Sequence, residues 1–254
     1  SWRIVFLFGL IPAIVAFVVR LFVKEPERWQ SVKASAPPAR LRDLFTPEVI
    51  GVTVRGTLMA IVALIAWWSS NAFIPTIAAG LAQASAATDG LDRAGTLALV
   101  ESWKTIATTW FNLGGLLGTL LTIPVAKGMG RKPMFLIYFA ASAAAIFTTF
   151  GLDWPPVTRL HLCFFIGLSV FGIFGSFTFY LPELFGTRLR GTGSGFCYNI
   201  GRVFASAGPF IVGAVAAAGV EHAMNAISYV AIVPLLGLLL VPFITETRGR
   251  PLLD

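Results

Sequence analysis

The sequence predicts an all-α integral membrane protein with about seven transmembrane helices. Three observations predict it. Seven apolar runs of roughly twenty residues divide the chain, each about long enough to cross the ~30 Å hydrocarbon core at 1.5 Å per residue. Of the 254 residues, 56% are hydrophobic and only 12% charged, with mean hydropathy +0.80; a soluble domain carries about twice that charged fraction. The basic residues gather on alternate connections. Single spans must be helical, because every backbone N–H and C=O in the bilayer has to be satisfied within the segment.

The spans read as 3–23, 55–79, 103–126, 134–151, 159–181, 194–216 and 224–244. The first opens almost at Ser1, without a Met and without a basic stretch leading to a cleavage site. It therefore reads as a helix of a chain lacking its N-terminal portion, and not as a signal peptide. Residues 24–54 form a linker in which Ala34-Ser35-Ala36-Pro37-Pro38-Ala39 breaks any regular helix. Leu41-Arg42-Asp43-Leu44-Phe45 suits a short amphipathic turn on the membrane surface. A long Ala/Gly-rich loop is expected at 80–102. Tight turns follow at Gly151-Leu152-Asp153-Trp154-Pro155-Pro156 and at Ala218-Gly219-Val220-Glu221-His222. Among Trp67, Trp68, Trp103, Trp110 and Trp154 some serve as interfacial anchors. Pro75, Pro124, Pro209, Pro234 and Pro242 predict kinks. Gly114 and Gly118, Gly191 and Gly195, and Gly172 and Gly175 have spacings that allow close helix packing.

Orientation follows from the 19 basic residues. One side holds Arg20, Lys24, Arg28, Lys33, Arg40, Arg42, Arg55, Lys127, Arg131, Lys132, Arg188, Arg190, Arg248 and Arg250; the other holds Arg3, Arg93, Lys104 and Arg159, and Arg202 is left inside a span. The richer side is expected to be cytoplasmic, which puts Ser1 outside and Asp254 inside. The net charge of +7 is thus a topology signal, and no contiguous basic face for nucleic acid is visible. Cys163 and Cys197 fall inside spans and read as packing residues. His161 and His222 give no metal-ligand spacing, and nothing suggests a cofactor, a metal or a catalytic group.

Short polar signatures punctuate the basic side: Lys24-Glu25-Pro26-Glu27-Arg28-Trp29, Gly130-Arg131-Lys132-Pro133, Pro182-Glu183-Leu184-Phe185-Gly186-Thr187-Arg188-Leu189-Arg190-Gly191, and Glu246-Thr247-Arg248-Gly249-Arg250-Pro251. In order and spacing the chain resembles the C-terminal half of a major facilitator superfamily transporter, closest to the sugar-porter and organic-acid:proton symporter branches. The resemblance implies the last helix of an N-terminal bundle at 1–23, a cytoplasmic linker at 24–54, a six-helix C-terminal bundle at 55–245 and a cytoplasmic tail at 246–254. It implies as partners a small-molecule substrate, the lipid bilayer and the missing N-terminal bundle, in a bacterial inner (plasma) membrane. In the family's Gly-x-x-x-Asp-x-x-Gly-Arg-Lys/Arg loop, the leading Gly falls on Ile123 and the Asp on Lys127, so only Gly130-Arg131-Lys132 matches.

Gating residues are sought at this mouth: Arg131, Lys132, Glu183, Arg188 and Arg190. Glu183 beside Arg188 and Arg190, or Glu25 and Glu27 beside Arg28, would latch helix ends in one conformation; the plainer reading is that these charges only hold topology. Substrate contacts are sought deep in the spans, where polar groups are costly. Arg202 lies about 13 Å along its helix from residue 193. It shares a face with Asn199 and Ser206, and it suits a carboxylate through its planar fork. A structural link to carbonyls or to an acid in the missing half fits it equally. Trp67 with Asn71, Thr108 with Asn112, and the stripe Phe171, Phe174 and Thr178 are softer candidates, since aromatic stripes are more often packing. No Asp or Glu lies deep in a span, so a proton-coupling carboxylate is expected elsewhere. The function expected is secondary transport of a small polar metabolite, an organic acid first and a sugar or sugar acid second. The rivals are a polytopic membrane enzyme and a non-transporting sensor.

Overall fold

A computed structural model describes residues 2–23, 27–35 and 37–250, and every described element is helical. The chain forms two compact units, 1–38 and 39–254. The first carries α1 (Trp2–Phe8), α2 (Leu10–Phe22) and α3 (Glu27–Ser35). Its α2 presents apolar side chains such as Ile11, Phe17 and Leu21 to the surroundings on all sides and buries none. Within the first polar signature, Lys24, Glu25 and Pro26 lie outside the described residues; so does Pro251 in the last.

The second unit is the bundle. It contains α4 (Ile50–Thr88), α5 (Arg93–Met129), α6 (Arg131–Gly151), α7 (Pro156–Glu183), α8 (Arg190–Ala205), α9 (Ala207–Ala216), α10 (Val220–Val230) and α11 (Ile232–Leu240). Among the described residues, α4, α5, α6, α7 and the stretch Val220–Phe243 are long and apolar enough to cross a membrane. The two remaining predicted spans are helical but broken.

The breaks have one physical cause. Proline has no N–H, so the carbonyl four residues earlier loses its helical partner. Pro12, Pro209 and Pro234 each stand four residues after a helix end, at Phe8, Ala205 and Val230. Helices α4 and α5 instead continue through Pro75 and Pro124.

The expected long loop at 80–102 is corrected to a short turn. Helix α4 runs on to Thr88 and stops at Gly90, whose φ of +65° suits glycine. The Leu91 amide donates back to the Ala86 carbonyl at 3.0 Å, as in a Schellman cap. Asp92 then caps α5 by accepting from the Gly95 N–H at 2.8 Å.

The most extensive helix pair is α5 with α7. A Cβ at Gly114 would fall on the Phe164 carbonyl oxygen, and one at Gly118 on that of Leu168. Only glycine allows these backbones to touch, which is how membrane helices gain contact without a hydrophobic driving force. Gly191 and Gly195 face open space, so their predicted packing role is not realised. The Gly118 carbonyl also accepts from Thr122 at 2.8 Å and Tyr138 at 3.2 Å, tying α6 to the pair.

At one end lie the α5–α6 and α7–α8 turns and residues 244–250; this is termed the basic end. The segment Leu41–Phe45 is one 3₁₀ turn there, but it docks on protein: Leu44 is fully buried and the Phe45 ring meets Phe196 edge-on. At the opposite end, buried Arg159 clamps the α6–α7 turn, donating to the carbonyls of Trp154 and Thr149, each at 3.1 Å.

Candidate functional site

Helices α4, α7 and α8 assemble an aromatic row. Trp67 of α4 stacks on Phe174 of α7 with ring centroids 5.3 Å apart and planes 20° from parallel. Phe171, one turn earlier on α7, meets Trp67 edge-on at 5.6 Å. Phe174 meets Tyr198 of α8 at 6.1 Å, and the Arg202 guanidinium lies 5.9 Å from the Tyr198 ring centroid. The row exists because α7 offers Phe171 and Phe174 three residues apart and α8 offers Tyr198 and Arg202 four apart, each pair on one helix face, with Trp67 of α4 set against the first pair. A cavity of about 310 Å³ lies along it, lined by Phe174, Phe177, Thr178, Ser194, Gly195 and Tyr198.

Two groups in the row lack protein partners among the described residues. The Trp67 Nε1–H is shielded from solvent and has no acceptor, an arrangement that is costly until an acceptor arrives. Arg202 is exposed, with no carboxylate or carbonyl partner there beyond the Tyr198 ring. The break after Ala205 places Arg202 in the last turn of α8. There the negative end of the helix dipole favours a cation.

The three candidate asparagines behave differently. Asn71, Asn112 and Asn199 are all exposed. Asn112 donates to the Thr108 carbonyl at 2.7 Å and Asn199 to the Gly195 carbonyl at 2.8 Å, each four residues back in its own helix. Each amide oxygen is left outward as an acceptor. Asn71 sits one turn beyond Trp67, and because residue 75 is proline its carbonyl never receives the usual helical N–H. Tyr198, the bridge between Phe174 and Arg202, was missed by sequence reasoning; its place four residues before Arg202 was the available signal.

At the basic end the gating candidates form two clusters. Arg131 grips Glu183 through both oxygens, at 3.0 and 2.5 Å, and lies over the Phe179 ring. The Thr247 hydroxyl donates to the same carboxylate at 2.5 Å. Glu246 accepts from the backbone amides of Arg131 and Lys132, each at 2.9 Å, so it caps the start of α6. Lys132 Nζ donates to the Pro242 carbonyl at 2.8 Å. In the second cluster, Arg188 donates to Asp43 at 2.8 Å and Arg190 to the Pro182 carbonyl at 3.2 Å. The expected pairing of Glu183 with Arg188 or Arg190 is therefore corrected: the carboxylate is filled by Arg131 and Thr247, which arrive from other segments.

The electrostatics agree with this arrangement. Burial pushes the Glu246 carboxyl up, but three backbone amides and the Arg131 charge outweigh it and hold the value below the ordinary 4.5. The Arg40 backbone amide, followed by Arg188, likewise lowers Asp43.

The description Major Facilitator Superfamily matches residues 1–209. The chain belongs to that superfamily and is an integral membrane protein. It is 28% identical to a probable 4-methylmuconolactone transporter of Cupriavidus pinatubonensis, over 98% of this chain and 54% of that one. It is 28% identical to the cis,cis-muconate transport protein of Acinetobacter baylyi, over 86% of this chain and 51% of that one. It is 24% identical to a sialic acid transporter of Escherichia coli, over 83% and 48% respectively. The chain thus spans about half the length of the curated relatives it matches.

Proposed function

We propose that this chain is the C-terminal part of a secondary transporter for a small organic acid, with transport and not chemistry as its task. In this reading 55–245 forms one bundle, 1–23 the last helix of the other, 24–54 the linker and 246–254 the tail. The two bundles rock about a midplane site. The basic end faces the cytoplasm of a bacterial cell, by the excess of Lys and Arg there.

The single observation that carries the substrate class is Arg202, an exposed guanidinium with no carboxylate partner among the described residues, at the end of the Trp67–Phe174–Tyr198 row. A planar fork beside aromatic faces suits a carboxylate attached to a flat or ring-shaped body. The relatives named for muconate and for 4-methylmuconolactone support the organic acid. The one named for sialic acid supports a sugar acid as the second reading, through the same Arg202. Trp67, Asn71, Asn112, Phe174 and Asn199 complete the contacts, and Arg131, Lys132, Glu183, Arg188 and Arg190 serve the gate.

The test is uptake by the full-length protein in proteoliposomes, with labelled cis,cis-muconate, sialic acid and glucose, with and without a pH gradient. Accumulation of an acid in preference to glucose is expected. Glucose uptake without acid uptake contradicts the reading.

A further inference from the structure

A second cavity, of about 330 Å³, lies at the basic end, where the ends of α5, α6 and α7 meet; it is lined by Ile123, Ala126, Lys127, Arg131, Phe179 and Glu183. The cavity has an apolar wall of Ile123 and Phe179 and a charged rim. On that rim Arg131 and Glu183 neutralise one another. Lys127 is exposed and has no hydrogen bond or carboxylate among the described residues. The rim therefore carries one uncompensated positive charge, at the position where the family's loop pattern has an acid.

We propose that this cavity is an inward station for the carboxylate, distinct from the Arg202 site; the assignment rests on the transport reading above. A carboxylate there meets the Lys127 ammonium while its body lies against Phe179 and Ile123. It also stands beside Arg131 and competes with Glu183 for that guanidinium. Because Glu183 is also the acceptor for Thr247, its displacement loosens the attachment of the C-terminal segment. Arrival of substrate at the basic end thereby weakens the latch that closes it.

The experiment uses the full-length protein in phosphatidylcholine vesicles with cis,cis-muconate as the probe, and reads backbone hydrogen exchange at residues 130–134 and 246–249. Saturating muconate is expected to speed exchange there in the parent. In Lys127→Gln the concentration needed should rise about tenfold, the cost of one charge-assisted contact. Arg202→Lys should retain the response, which separates failure of this station from failure of the Arg202 site. Identical responses in parent and Lys127→Gln overturn the proposal, as does an absent response in the parent. It is also overturned if phosphatidylglycerol alone, without muconate, produces the Lys127-dependent change, because the site then belongs to an anionic headgroup.

Discussion

Arg131, in the first turn of α6, holds both carboxylate oxygens of Glu183, in the last turn of α7, at 3.0 and 2.5 Å. Both side chains are largely shielded, with 14% and 18% of their surface exposed. Thr247 and Glu246 bring the C-terminal segment into the same cluster, so five short bonds join the ends of three chain segments.

Breaking that pair should be costly. Arg131→Lys keeps the charge but loses the planar fork, and Glu183→Gln removes the charge while leaving Arg131 uncompensated. A loss of roughly 2–3 kcal/mol is expected for Glu183→Gln and less for Arg131→Lys. Denaturant or thermal unfolding of the full-length protein in detergent checks both. Equal stability of all three proteins would show the pair to be incidental.

The Glu246 cap predicts a pH dependence of definite sign. Its carboxyl is held below the ordinary 4.5 in the folded state, so its contribution is complete above that value. It is lost as pH falls through the lowered value. Amide exchange at Arg131 and Lys132 should be protected evenly from neutral pH down to about 5, once corrected for intrinsic rates, and lose protection in stronger acid. Glu246→Gln should remove the acid transition. A transition unchanged in that variant would assign it to another group.

The α5–α7 contact predicts which glycines matter. Gly118→Val would drive a side chain into the Leu168 carbonyl, and overpacking against backbone should cost about 3 kcal/mol, the upper end of the usual range. Gly191→Ala meets nothing within 4 Å and should be neutral or stabilising by several tenths of a kcal/mol. Expression and melting temperature of the two variants compare the sites directly.

Most of the fold was legible because membrane helices announce themselves by apolar length. What was misjudged has local causes. Residues 80–102 look like a loop by their Ala, Gly and polar content, yet helix α4 continues to Thr88 and α5 starts at Arg93. The Asp89-Gly90 stop and the Asp92 cap were the signals that marked the short turn. The breaks at Phe8, Ala205 and Val230 are readable once each proline is referred back four residues. In the candidate site, Arg202 was singled out by the cost of a charge within a span, and Trp67 and Phe174 only as softer candidates by their helical spacing. The Arg131–Glu183 partnership could not, because it joins residues 52 positions apart, and only the tertiary fold chooses among the basic residues at that end.

The Trp67 indole offers a separate test. Trp67→Phe keeps a ring to stack on Phe174 and removes the shielded N–H that has no acceptor among the described residues. Stability should be unchanged or slightly raised, since a buried donor without an acceptor is unfavourable. Affinity for the acid should fall about five- to tenfold, the value of one hydrogen bond. Unaltered affinity, measured by equilibrium binding, would leave Trp67 a packing residue only.

The measurement closest to the central claim pairs acid affinity with melting temperature for Arg202→Lys in the full-length protein. Arg202 makes no protein ion pair among the described residues, so the fold should tolerate lysine and the melting temperature should stay close to the parent value. The carboxylate should lose its two-pronged contact, weakening affinity about tenfold or more. A destabilised protein that still binds the acid with parental affinity would contradict the account, because Arg202 would then be a strut and not the substrate's anchor.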